Sequence, residues 1–93
     1  MPLEVVYHPE IETKDLPGIP KNIQDRIRKA IEDRLLENSV SAGKPLRQSL
    51  KGHRKMRVGD YRVIYRVEED ANKIIILIIG NRKDVYSKIF KRF

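Results

Sequence analysis

The sequence predicts an α+β fold: an N-terminal strand, two helices, then a three-stranded antiparallel meander with the helices packed on one sheet face, and a short C-terminal helix. Three observations lead there. Apolar residues recur at helical spacing between Ile23 and Leu35. Alternating or continuous β-prone runs fill the stretch from Arg54 to Ile79, separated only by short turns. With 93 residues, the chain has room for a single domain, 1–93, around one modest core.

Leu3–Tyr7 is a short β-prone run bounded by Pro2 and by His8-Pro9. Pro9 suits a first helical position, with Glu10 and Glu12 favourable at the positive end of the helix dipole. Pro17-Gly18 stops this first helix early. Pro20 suits the first turn of the second. There Ile23, Ile27, Ala30, Ile31 and Leu35 form one face, and Arg26, Arg28, Lys29, Asp33 and Arg34 mostly take the other. Asn38-Ser39 and Ser41-Ala42-Gly43 end it, and a loop occupies 44–52.

In Arg54–Val58, Met56 and Val58 point one way and Lys55 and Arg57 the other. Gly59-Asp60 makes a turn. Tyr61, Val63, Tyr65 and Val67 then share a face, opposite Arg62, Ile64 and Arg66. After a second turn over Glu69–Asn72, Lys73–Ile79 is continuously apolar past its first residue, as expected of a central strand buried on both faces. In the last ten residues, Val85, Ile89 and Phe90 would form the apolar side of a short helix.

Charge is unevenly spread. The chain carries +7, and residues 44–66 alone hold eight Lys or Arg against one acid, Asp60. Most of those cations fall on predicted strands, so they form a rigid basic face of the kind that binds a polyanion, most often a nucleic-acid backbone. There is no cysteine, which excludes disulfides and thiolate metal sites, and two histidines do not make a structural zinc site. No cofactor is expected. The N-terminus lacks the pattern of a signal peptide, and the longest apolar run, Ile74–Ile79, is far short of the ~20 residues of a membrane span. The expected location is the cytoplasm, with no membrane partner.

At Lys44-Pro45-Leu46, Leu50-Lys51-Gly52 and Arg57-Val58-Gly59-Asp60-Tyr61-Arg62-Val63-Ile64-Tyr65, and again at Gly80-Asn81-Arg82-Lys83-Asp84-Val85-Tyr86, the sequence resembles the RelE/ParE toxin superfamily, with the RelE-like branch favoured. The match is detailed over the C-terminal half and limited to element order before it. The resemblance implies a toxin held inactive by a cognate antitoxin, whose acidic or amphipathic helical segment suits a basic face. RelE-like members cleave messenger RNA in the ribosomal A site, whereas ParE-like members poison DNA gyrase, so ribosome and mRNA are the expected partners and gyrase is the alternative. A small RNA-binding module without catalysis is the blandest reading.

Metal-free RNA cleavage of this type starts with 2′-OH attack on phosphorus and leaves a 2′,3′-cyclic phosphate. It needs a base for the 2′-OH proton, a cation for the transition-state phosphate, and help for the leaving 5′-oxygen. Arg62, in the DYR motif, matches the family arginine for the second task, since a guanidinium grips two phosphate oxygens; Arg57 lies across the turn and can share it. Arg82 matches the arginine after the last strand and would stabilise the leaving oxygen, because an arginine rarely gives up a proton. Tyr86 matches the family's C-terminal tyrosine, for stacking on a base or orienting the nucleophile, or merely for packing. The resemblance implies a lysine of the first meander strand as general base, and Lys55 holds that place. His53 precedes it on the same face, and imidazole is suited to base work. Both remain candidates. Lys44, Arg47, Lys51 and Arg54 are expected to contact the RNA backbone. Where many relatives carry His before the last arginine, this chain has Asn81, which cannot transfer a proton. His8 reads as structural or solvent-facing, and Tyr61 and Tyr65 as core.

Overall fold

The computed structural model describes residues 4–35, 44–45, 53–68 and 70–92. Its sheet has five strands in the order β1-β5-β4-β3-β2: β1 (Glu4–Tyr7), β2 (Lys44–Pro45), β3 (His53–Val58), β4 (Tyr61–Glu68) and β5 (Lys73–Asn81). β3, β4 and β5 form the expected antiparallel meander. β1 joins β5 in parallel, a pairing that requires the long crossover its helices supply. β2 lies within the stretch read as loop. It pairs Lys44 with Lys55 and Pro45 with Arg54, and two residues carry too little pattern to announce a strand.

The first helical segment after Pro9 is irregular: a π turn over Ile11–Asp15, then a 3-10 turn over Leu16–Gly18 where Pro17 intervenes. Helix α1 (Lys21–Ala30) follows, with the extended Pro20 as its N-cap residue, and it runs on into a π turn over Ile31–Leu35. The Gln24 side chain ties these pieces together, donating to the Leu16 and Ile19 carbonyls at 2.8 Å each. Ile27, Ile31 and Leu35 present the predicted stripe and are fully buried against Met56, Val58, Val63, Tyr65, Ile74, Ile76 and Ile79. At the far end of the π turn, Arg34 Nη1 donates to the Arg57 carbonyl at 2.9 Å.

The C-terminal helix α2 (Asp84–Arg92) lies on the other side of the sheet, where Val85 and Ile89 cover Ile64, Leu77 and Ile78. Amphipathic spacing shows that this helix has an apolar side, and not which sheet face receives it. A bulge makes the fit possible. Ile64 pairs with Ile78 but Tyr65 pairs with Ile76, which leaves Leu77 as the extra residue of β5. Leu77 and Ile78 therefore both serve the α2 face, and the alternation of β5 resumes at Ile79 on the other. Burial on both faces explains the unbroken apolar run of β5.

Among the described residues β5 has no strand on its β1 side beyond Tyr7, and side chains cap that edge. Asp15, buried in the first helical segment, accepts the Ile79 N–H at 2.9 Å. Arg92, from α2, donates to the Leu77 carbonyl at 2.9 Å and grips Asp15 through Nη1 (2.8 Å) and Nη2 (3.0 Å). Lys88 Nζ adds a contact to Asp15 at 3.1 Å, and Arg92 Nε lies 2.9 Å from Glu10. Both helical layers are thus locked to one strand edge.

Candidate functional site

Strand register assembles the site. Arg57 lies opposite Arg62, Lys55 opposite Ile64, and His53 opposite Arg66. These residues point away from Met56, Val58, Val63 and Tyr65, so they share the face on which α2 sits. The helix covers Ile64 and the apolar residues of β5 and leaves the cations of β3 and β4 beside it. His53, Lys55, Arg57 and Arg62 therefore come together on one face, as alternation required.

The Gly59-Asp60 turn organises the arginines. Gly59 adopts a φ of +57°, a conformation that L side chains resist. Its carbonyl accepts from Arg57 Nε at 3.2 Å and from Arg62 Nη1 at 3.1 Å, and Arg62 Nη1 also reaches the Tyr61 carbonyl at 3.0 Å. The next carbonyl, Asp60, accepts the Arg82 N–H at 3.0 Å. One tight turn thus holds two guanidinium stems and the backbone of a third arginine. Neutral carbonyl partners leave the positive charge available to an anion, which a carboxylate partner would not.

Tyr86 projects from the first turns of α2 and is 41% exposed. Lys55 Nζ donates to its hydroxyl at 2.9 Å and lies 5.5 Å from the ring centroid. Asn81 sets where this helix begins. Its Oδ1 accepts the N–H groups of Lys83 (2.9 Å) and Asp84 (2.8 Å), and its Nδ2 donates to Asp84 Oδ2 at 3.0 Å. This is a cap in which Asn81 satisfies the first N–H of the helix and that of Lys83 in the turn before it. Asn at this position thus fixes the junction between Arg82 and Tyr86, a role open to an amide that cannot transfer a proton.

Arg54 does not join the cluster. It faces the α1 side, opposite Tyr65 in the register, and hydrogen-bonds that tyrosine. Burial raises the Tyr65 pKa, against the pull of Arg54. Arg47 and Lys51 lie outside the described residues, as does the side chain of Lys44. His8 has a structural role: its Nδ1 accepts the Glu10 N–H at 3.1 Å at the start of the first helical segment. Among the described residues no group of three or more His, Cys, Asp or Glu is placed to hold a metal ion, and no helix is long and apolar enough to cross a membrane.

Two features escape a sequence reading. One is Arg66, whose face is set by alternation but which no motif marks. The other is the Asp15 cluster, since Asp15 and Arg92 are far apart in sequence and no periodicity links them. Burial alone would raise the Asp15 pKa, but hydrogen bonds from Arg92, the Ile79 N–H and Lys88 outweigh it and hold the carboxyl below its usual range. Asp15 in turn raises the pKa of Arg92.

A family model described as the ParE toxin of the type II toxin–antitoxin system parDE matches residues 5–86. Toxin RelE of Mycobacterium tuberculosis is 34% identical over 83 residues, covering 86% of each chain. A solved RelBE toxin–antitoxin complex from the same organism superposes with a TM-score of 0.80 at 28% identity, covering 88% of this chain and all of the other. A mutant Escherichia coli toxin RelE in the free state shares the fold, with a TM-score of 0.77 at 18% identity over 100% of this chain and 99% of the other. Because the matched span takes in most of the chain, the chain belongs to the ParE toxin family of type II toxin–antitoxin systems, and it resembles toxins named RelE.

Proposed function

We propose that this toxin is a ribosome-dependent endoribonuclease that cuts messenger RNA in the A site without a metal. The observation that carries this reading is the 2.9 Å bond from Lys55 to Tyr86, on the sheet face that also carries Arg57 and Arg62, with the Arg82 backbone held at the Gly59-Asp60 turn. It supplies a candidate base held in place next to candidate phosphate ligands. In this scheme Lys55 takes the 2′-OH proton as the 2′-oxygen bonds to phosphorus. Arg62 and Arg57 neutralise the phosphorane oxygens. The bond from phosphorus to the 5′-oxygen breaks, Arg82 stabilises that oxygen, and water protonates it. The products are a 2′,3′-cyclic phosphate and a 5′-OH. Tyr86 holds the Lys55 amine and offers its exposed ring to an unpaired base.

The partner that silences the toxin is a cognate antitoxin, as in the RelBE complex that this chain resembles. An acidic or amphipathic helical segment laid over the basic face would occlude it, and the cut would then be slower in the complex than in the free toxin.

Purified protein added to ribosomes stalled with an open A site on a defined message tests the reading, with RNA ends mapped by primer extension. A cut within the A-site codon that naked RNA does not show is the expected result. The ParE name of the matching family supports a second reading, since the resemblance to ParE-like members implies a gyrase poison on the same fold. An intact message together with inhibited DNA supercoiling would establish that reading instead.

A further inference from the structure

The basic face continues past the residues assigned above. Along β3 and β4 the outward positions form three successive rungs: Arg57 with Arg62, Lys55 with Ile64, and His53 with Arg66. Neighbouring rungs are two residues apart, about 6.7 Å at the usual strand rise. That step is comparable to the separation of successive phosphates in an extended single strand of RNA. Arg66 is also pre-ordered. Its Nη2 donates to Glu68 Oε1 at 2.6 Å, and its Nε is buried with no hydrogen-bond partner among the described residues. The side chain is still 40% exposed, and Glu68 occupies one of the five N–H donors of the fork.

We propose that Arg66 is a phosphate-binding residue for single-stranded RNA lying along β3 and β4, one rung beyond Lys55 from the scissile phosphate. The inference rests on the nuclease reading of the same face. It gives the substrate a direction: the strand runs from the Gly59 turn towards the His53–Arg66 rung, and the toxin contacts the second phosphate along from the one it cuts, two rungs or about 13 Å away. Glu68 then competes with that phosphate for the Arg66 fork, so it tempers binding.

The test uses programmed ribosomes whose message carries a 2′-deoxy nucleotide at the scissile position, so that binding is read without cutting. Arg66→Gln is expected to weaken binding about fivefold to twentyfold and to lower the slope of log affinity against log salt by about 1. On the all-ribose message, its single-turnover rate at saturation stays within about twofold of wild type, as expected when only uniform binding is lost. Glu68→Gln is expected to bind as well as wild type or better, and Lys29→Gln, an exposed position on α1, to change nothing. Unchanged affinity and salt slope in Arg66→Gln would overturn the proposal. So would equal weakening by Glu68→Gln, because the pair would then act only as a structural unit. A wild-type protein that binds the deoxy message but leaves the ribose message intact would refute the nuclease reading alone, and the Arg66 comparison would still be readable by binding.

Discussion

Lys55 on β3 and Tyr86 on α2 meet across the sheet face at 2.9 Å, from nitrogen to phenolic oxygen. The contact ties a strand residue to a helix that is otherwise held by apolar packing and by the Asp15 cluster. It fixes the lysine amine in place and keeps the tyrosine ring at the edge of the cationic surface. On the proposed chemistry, the pair orients the proton acceptor and receives the base next to the cut.

Removing the two partners should have different effects. Lys55→Ala is expected to lower the single-turnover cleavage rate about 10²- to 10⁴-fold, the usual contribution of a positioned base. Tyr86→Phe keeps the ring and loses only the hydroxyl, so its effect should be smaller than that of Tyr86→Ala, which also forfeits stacking worth about 1–3 kcal/mol. His53→Gln should fall well short of Lys55→Ala. Rates on programmed ribosomes check all four, and a larger loss at His53 would move the base there.

The buried carboxylate makes stability depend on pH. The folded-state pKa of Asp15 is depressed, with hydrogen bonds from Arg92, Ile79 N–H and Lys88 outweighing burial. Its stabilising contribution is therefore fully present above the unfolded value, about 3.9, and is lost as pH falls through the lower folded value. Urea unfolding at pH 7 and at successive values below 4 should show this decline. Asp15→Ala is expected to cost about 3–5 kcal/mol at neutral pH, because it takes from the nearly buried Arg92 the carboxylate that both its Nη atoms grip and leaves it Glu10 and the Leu77 carbonyl. At low pH the difference between wild type and Asp15→Ala should shrink.

Asn81 should behave as a cap. Asn81→Ala is expected to destabilise the protein by about 0.5–2 kcal/mol, and Asn81→Ser, which restores a capping oxygen, to recover most of that. Thermal melts measure the first effect. Because the cap sets the junction between Arg82 and Tyr86, cleavage should follow the same order, with Asn81→Ser more active than Asn81→Ala.

Much of this arrangement can be read from the residues, for definite reasons. Period-two alternation placed His53, Lys55 and Arg57 together and put Met56 and Val58 behind them. The Gly59-Asp60 pair announced the turn that brings Arg57 to Arg62. Ile27, Ile31 and Leu35 announced the face of α1. Other features have no local signature. Leu77 becomes a bulge because two layers must be satisfied from one apolar run, and nothing in that run marks it. The side taken by α2 depends on which face the first helices leave open. Arg54 looks like another member of a basic block, but one step of alternation turns it towards Tyr65. Asp15 and Arg92 find one another only after the sheet has formed, because the edge they cap belongs to β5.

The most direct test is the single-turnover cleavage rate of Arg62→Ala combined with Arg82→Ala on ribosomes with an open A site, measured beside wild type. Arg82 is exposed and Arg62 is half-buried with backbone carbonyl partners at Gly59 and Tyr61, so the double variant should fold, as thermal melting would verify. The proposed mechanism requires that wild type cuts the A-site codon and that the folded double variant does not. Cleavage at the wild-type rate by the folded double variant would contradict it.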